Sequence, residues 1–341
     1  MKILFLGDDN KIGYSYYQYK ILKKNYKNIK KINIKTINFW CVLINKINWH
    51  YNFEVFDLLI LFFLKKNIKQ NYDLIYINNE NLLGEKSISY LKKKSKKVVY
   101  FCTDNPFKNK DGKRWFLIKD NFHLFDLVIF MQKNRLADSM KFKIKNKIWI
   151  PPTIKIDEFK KLSKKKIIKK NEIIIVSTFR SEREKLVKKF LQNKFKIQVY
   201  GDHWERSRLY KTNKNIFYPK IENDKKYVET LKSGKISICL PSIENNDDIT
   251  HRSLEIPLIG TLLLAKQTKT HLEFFKNNFE AIFFKNLNEC IKKCHLILGD
   301  DKKLNFISSN GTKKVNSILN YISFEKNIKK ILSNLFEDQQ K

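Results

Sequence analysis

No run of this 341-residue chain is long and apolar enough to cross a membrane. The longest, Val55 to Leu64, contains Asp57 and is roughly half the length a spanning helix needs. Met1 opens directly into a strand-like run, so no signal peptide is expected. Cysteine points neither to oxidation nor to metal. Its number is odd, and Cys290, Cys294 and His295 have no second ligand pair spaced to complete a zinc site, which leaves structural filler on one helix face. No repeat of solenoid length is present. The expected location is cytoplasmic and reducing.

Arginine is scarce too. Of 69 basic residues only seven are arginine, against 34 acidic residues in all, for a formal charge of +35. The lysines are spread along the whole chain, beside abundant Asn and Ile, as in the product of an AT-rich coding sequence. They read as solvated decoration, and specific nucleic-acid binding is not expected. Such a field nevertheless attracts anionic membrane surfaces and phosphorylated ligands over about a Debye length, so peripheral contact with an anionic inner-membrane surface stays open. The arginines behave differently. Five of the seven lie between Arg180 and Arg252, and in so lysine-biased a chain that clustering suggests planar recognition of phosphate or carboxylate.

What is present is an alternation of short apolar strands with helices, twice over. The first series runs from Lys2–Leu6 through strand-like stretches at Ile32–Ile37, Asp73–Ile77, Val98–Phe101, Asp126–Phe130 and Lys147–Ile150, with helical patterns at Glu80–Lys94 and Gln132–Lys141. Pro151-Pro152 interrupts it. A second series starts at Glu172 and carries strands at Lys196–Tyr200, Ile236–Leu240, Thr261–Ala265 and Ala281–Phe284, with helices at Ser181–Asn193, Asp224–Lys232, Thr268–Lys276 and Leu287–Leu298. Short apolar strands separated by helices imply parallel sheets covered on both faces. The expected fold class is α/β, two doubly wound Rossmann-like domains facing a cleft. The first occupies 1–150, a charged linker 151–170, the second 171–316 and a helical tail 317–341.

Sites in such folds lie at the carboxyl ends of strands. Gly7 and Gly13 flank an acidic turn that is not G-x-G-x-x-G; Asp8 there is part of a capped turn or touches an acceptor hydroxyl. Asp104, before Asn105-Pro106, is a turn initiator or a cleft carboxylate. Arg180 and Arg183 stand at a helix start, where they oppose the dipole unless an anion is expected. Gly201 and Trp204 offer a place for a base to stack, or a surface turn with a half-buried Trp. Most informative is Asp247-Asp248-Ile-Thr250-His251-Arg252-Ser-Leu-Glu255, another helix start after a strand. Its free N–H groups and Arg252 suit a phosphate, and Glu255 suits ribose or sugar hydroxyls. The plain alternative is a helix capped by Asp248 or Thr250 with a solvated Arg and Glu.

Ser181-Glu-Arg-Glu184, Tyr200-Gly201 with Trp204, and the run from Asp248 through Glu255-Ile-Pro257 to Gly260, followed by the apolar strand to Ala265, together resemble the CgeB-like (spore maturation protein-like) glycosyltransferases of GT-B fold. The resemblance covers roughly Ile174 to Leu298. Arg180 and Leu254 depart from the pattern, which more often has a non-basic and an aromatic residue there. The resemblance implies transfer of a sugar from a nucleotide diphosphate sugar, held mainly by the second domain, to a glycan, lipid-linked or protein acceptor. It makes Glu255 the ribose ligand, places Asp247 near the transferred sugar, and leaves Arg180, Arg183, Arg252 and Lys185 for the diphosphate. Asp104, Asp8 and His251 are available as a general base. Asp247 and Asp248 are adjacent rather than spaced as Asp-x-Asp, so no metal ligand and no cofactor beyond the sugar nucleotide is expected. A non-catalytic GT-B-like nucleotide or glycan binder and a polyanion binder are the alternatives.

Overall fold

The computed structural model describes residues 1–51, 53–108 and 113–337. The chain divides into two compact units, one of Met1–Thr153, Ile243–Asp247 and Phe324–Lys341, the other of Ile154–Ser242 and Asp248–Ser323.

The first unit is a six-stranded sheet of β1 (Lys2–Leu6), β2 (Asn28–Ile32), β3 (Tyr72–Asn78), β4 (Ser95–Cys102), β5 (Leu127–Phe130) and β6 (Lys147–Trp149), in the order 2-1-3-4-5-6. Every pairing is parallel. Both faces are buried, which is why these strands read as near-continuous apolar runs. Ile3, Phe5, Tyr76 and Phe101 point into a core shared with Ile21, Leu22 and the helix Phe324–Glu337. Leu4, Leu6, Ile75, Ile77 and Val98 point the other way, onto Ile44, Ile60, Leu64 and Leu91. The strand expected at Ile32–Ile37 lies earlier. In the edge strand β2 Lys30 and Lys31 stand side by side between Ile29 and Ile32, and Asn33 caps a 3-10 turn over Ile34–Thr36.

The second unit is also parallel and six-stranded: β7 (Asn171–Val176), β8 (Ile197–Tyr200), β9 (Phe217–Tyr218), β10 (Gly234–Cys239), β11 (Leu262–Lys266) and β12 (Ile282–Phe284), in the order 12-11-10-7-8-9. Ile173, Ile175, Ile236, Ile238 and Leu264 form its core with Leu186, Phe190, Cys290 and Cys294. All five cysteines are free and buried. The stretch 151–170, expected as a linker, carries the helix Ile156–Ser163; Phe159 is buried with its ring 5.7 Å from Tyr227, and Lys155 Nζ reaches both Asp224 oxygens at 2.7 Å. Among the described residues no helix is long and apolar enough to cross a membrane.

In each sheet the strand order reverses at one place, between β1 and β3 in the first and between β7 and β10 in the second. Crevices at the carboxyl ends of such strands are where open α/β sheets bind ligands.

Candidate functional site

At the β7/β10 reversal two helix starts meet. Ser181–Gln192 follows β7, with Arg180 extended as its cap residue and Glu182 and Glu184 in its first turn. His251–Leu258 follows β10, capped by Thr250 in a reciprocal capping box with Ser253; Thr250 N–H donates to Ser253 Oγ at 3.1 Å. Thr250, not Asp248, is therefore the cap. The Asp248 carbonyl accepts from Thr268 Oγ1 at 2.6 Å, which ties the loop to the end of β11.

Arg183 bridges the two strand ends, donating from Nη1 to Thr178 O at 2.8 Å and from Nη2 to Leu240 O at 3.2 Å. Its Nε is buried and has no partner among the described residues. Burial first, then the neighbouring Arg252 guanidinium, pulls Arg183 down to about 10, with Arg180 adding to the effect and Glu182 opposing it. Three of the expected phosphate ligands are thus gathered on one edge. The cations repel one another there, so an anion placed between them relieves a conflict that folding has built in. His251 opens the second helix and is half-buried, whereas Lys185 is exposed one turn into the first.

Glu255 sits behind this edge with no exposed surface, and its Oε2 accepts from Tyr227 Oη at 2.6 Å. Burial, then the Glu255 charge, holds the Tyr227 hydroxyl well above its usual range. Tyr227 therefore stays a donor and fixes the carboxylate's orientation. Beneath the helix start lies a buried polar chain. His271 Nδ1 pairs with Lys266 O at 2.9 Å and Nε2 with Ser253 Oγ at 2.8 Å, while Cys239 Sγ lies 3.1 Å from Thr250 Oγ1. A carbonyl cannot donate, so His271 carries its proton on Nδ1 and accepts from the Ser253 hydroxyl at Nε2.

Burial pulls His271 down to about 4, against the raising effect of its bond to Lys266. The unfolded chain then binds the extra proton first, so stability is lost as pH falls below the ordinary histidine range, and the loss levels off near pH 4. We expect roughly 2 kcal/mol lost at about pH 5 on this account. Urea unfolding across pH should show a shallower decline for His271→Gln than for the wild type; equal slopes would discount the buried imidazole.

Two expected donor ligands have other work. Trp204 is buried in the second core, its Nε1 donating to Ser177 O at 2.7 Å and its ring lying 5.5 Å from Phe179 and 5.3 Å from Phe217. It is neither a base platform nor a half-buried turn residue, because its surfaces are taken by the core. Gly201 has φ +149°, and a Cβ there would lie 2.1 Å from Ser177 O. Close passage of two backbones requires this glycine.

Asp247 belongs to the first unit. Asn245 Nδ2 donates to its Oδ1 at 2.5 Å, and Arg135 Nη2 lies 3.4 Å away. Arg135, wholly buried, also donates to the Asn245 and Asn246 carbonyls, and Asn105 grips Asn245 through two bonds of 3.1 Å. Asp104, next to Asn105, accepts from Asn79 Nδ2 at 2.9 Å. The 243–247 segment and the loop after β4 are thereby held together. Asp8 is exposed and accepts from Asn10 N–H at 2.9 Å, the bond of an Asx turn.

Sequence reasoning missed a polar group at the β1/β3 reversal. Glu80 and Asn81, just past β3, are fully buried, and neither the Glu80 oxygens nor the Asn81 amide has a hydrogen-bond partner among the described residues. Burial raises Glu80, with Lys35 at 3.9 Å opposing and Asp8 adding to the rise. The helix expected to start at Glu80 begins instead at Glu85. The missed signal was an acidic residue directly after a buried strand.

Residues 180–333 match a protein-family model described as glycosyl transferase-like. No curated protein matches the chain in sequence. Among solved structures, sucrose-phosphate synthase from Thermosynechococcus elongatus superposes with a TM-score of 0.74 at 12% identity, over 99% of this chain and 100% of that one. HepE of Anabaena in complex with UDP-glucose gives 0.67 at 14% identity, over 98% and 100%. The trehalose-6-phosphate synthase OtsA gives 0.66 at 12% identity, over 98% and 99%. The fold is that of the GT-B glycosyltransferases, and residues 180–333 are similar to the glycosyl transferase-like family.

Proposed function

We propose that the chain is a glycosyltransferase of the CgeB-like kind that moves a sugar from a nucleotide diphosphate sugar to a hydroxyl-bearing glycan, lipid-linked or protein acceptor. The observation that carries this reading is the Arg183–Arg252 pair at the β7/β10 reversal, beside two helix starts and in front of the Tyr227-held Glu255. Breaking the anomeric C–O bond leaves charge on the departing diphosphate. Cations held in place beforehand stabilise that charge more in the transition state than in the ground state. In our reading the arginines and helix N-termini do the work a metal does elsewhere, since no Asp-x-Asp follows a strand. Glu255 takes the ribose hydroxyls. Asp247 stands near the transferred sugar, and Asp104, His251 or Asp8 supplies a base if the reaction inverts. Glu80 and Asn81 take acceptor hydroxyls, because buried polar atoms without partners call for a ligand or water. HepE, of the same fold, binds UDP-glucose, which makes uridine nucleotides the first to try. The reaction is placed in the cytoplasm.

Thermal stability against a panel of nucleoside diphosphates and their sugars at physiological salt is the direct test. One base should raise the midpoint selectively. Arg252→Ala should weaken that ligand by about 2 kcal/mol in calorimetry, the scale of a charge-assisted contact. Glu255→Gln should weaken the nucleotide yet leave pyrophosphate nearly untouched. Unchanged affinity in Arg252→Ala would sink the phosphate assignment; shifts from polyanions alone, vanishing in salt, would favour a polyanion binder.

A further inference from the structure

The first unit carries an apolar surface that its core does not use. From Val55 to Leu64 the helix Val55–Asn67 is apolar on both faces except for Asp57. Phe56, Ile60, Phe63 and Leu64 face the core, while Val55, Leu58, Leu59 and Phe62, spaced i, i+3, i+4, i+7, form a second stripe that is 42–62% exposed. A surface helix of a water-soluble protein presents polar residues there. The helix Phe39–Ile47 rests Cys41 and Ile44 on the same core and turns out Phe39, 73% exposed, and Trp40, 58% exposed. Between the two helices Trp49 carries the Arg114 guanidinium 5.3 Å above its ring. Single exposed apolar side chains are ordinary, whereas two neighbouring elements of them mark an interaction surface.

Charge decides the partner. Between Asn38 and Asn71 the chain has Lys46, Lys65, Lys66 and Lys69 against only Glu54 and Asp57. Asp57 is turned inward, accepting from the Gly84, Lys86 and Ser87 amides. The apolar stripe is therefore bordered by cations, and a net charge of +35 opposes pairing with a second copy. Trp and Phe beside lysines, on helices lying along a surface, suit the boundary between headgroups and acyl chains.

We propose that this surface docks the protein on an anionic phospholipid bilayer, with Trp40, Leu59 and Phe62 entering the interface and Lys46, Lys65 and Lys66 meeting lipid phosphates. The docking stands whether or not the chain transfers a sugar, and its test reads no activity. Purified protein is floated with vesicles of phosphatidylcholine alone or mixed with phosphatidylglycerol at physiological salt. Wild type should float with the mixed vesicles and shift its tryptophan emission to shorter wavelength. The double variant Leu59→Ser/Phe62→Ser, at exposed positions and with an unchanged melting midpoint, should bind about tenfold more weakly or less. Wild type left in the soluble fraction would overturn the proposal. So would a variant that floats as well as wild type, since lysines alone would then suffice. A wild-type dimer that dissociates in the variant, without vesicle binding, would assign the surface to a second copy and overturn it equally.

Discussion

Gly201→Ala should lose about 4 kcal/mol of stability, enough to leave little folded protein, because strain at positive φ and a backbone clash add. At φ +149° the new Cβ would stand 2.1 Å from Ser177 O, the carbonyl that also accepts from Trp204 Nε1. Relief requires moving β8 away from the turn after β7, and Ser177 N–H is bonded to Tyr200 O at 2.8 Å across that gap. The cost therefore falls on the edge that presents Arg180 and Arg183. Circular dichroism melts of Gly201→Ala beside Gly299→Ala, whose added Cβ meets nothing closer than 3.4 Å, separate this clash from the general effect of replacing glycine. Equal midpoints would refute it.

Arg135→Ala should cost about 3 kcal/mol, the scale of stripping one partner from a buried charged network. The guanidinium has no exposed surface, and it serves the Asn245 and Asn246 carbonyls and the Asp247 carboxylate at once. Arg135→Lys retains charge without the planar fork and should recover only part of the loss. Urea midpoints measure the stability. Steady-state kinetics, with a donor in hand, test more: if Asp247 stands by the sugar, Arg135→Lys should lower kcat while leaving nucleotide affinity intact. An alanine variant as stable as wild type would show that other bonds hold the 243–247 segment.

Much of the second unit was legible because its helices carry their own boundary chemistry. Asn223 caps Asp224–Lys232 and Asn286 caps Leu287–Leu298, and both helices fall where the periodicity placed them. The helical pattern at Gln132–Lys141 breaks instead into Arg135–Asp138 and a 3-10 turn, because Arg135 is drawn into the core by carbonyls more than a hundred residues away. The two-residue strand β9 is too short to leave a pattern. The helix Val55–Asn67 was hidden by being apolar on both faces, which erases periodicity. At the candidate site the gathering of Arg180, Arg183 and Arg252 followed from arginine scarcity. Glu80 did not, since its one sequence signal, an acidic residue after a buried strand, was absorbed into a helix start, and its burial shows only in the fold.

The helix Phe324–Glu337 covers Phe5, Tyr76 and Phe101 with Phe324, Ile328 and Leu332. That face of the first sheet closes fully only when segments some 300 residues apart meet, as in the bond from Asn25 Nδ2 to Glu325 Oε1, so its completion is a slow, non-local step of folding. A chain cut before Phe324 would leave Phe5, Tyr76 and Phe101 without these three partners, an apolar patch for chaperones to meet.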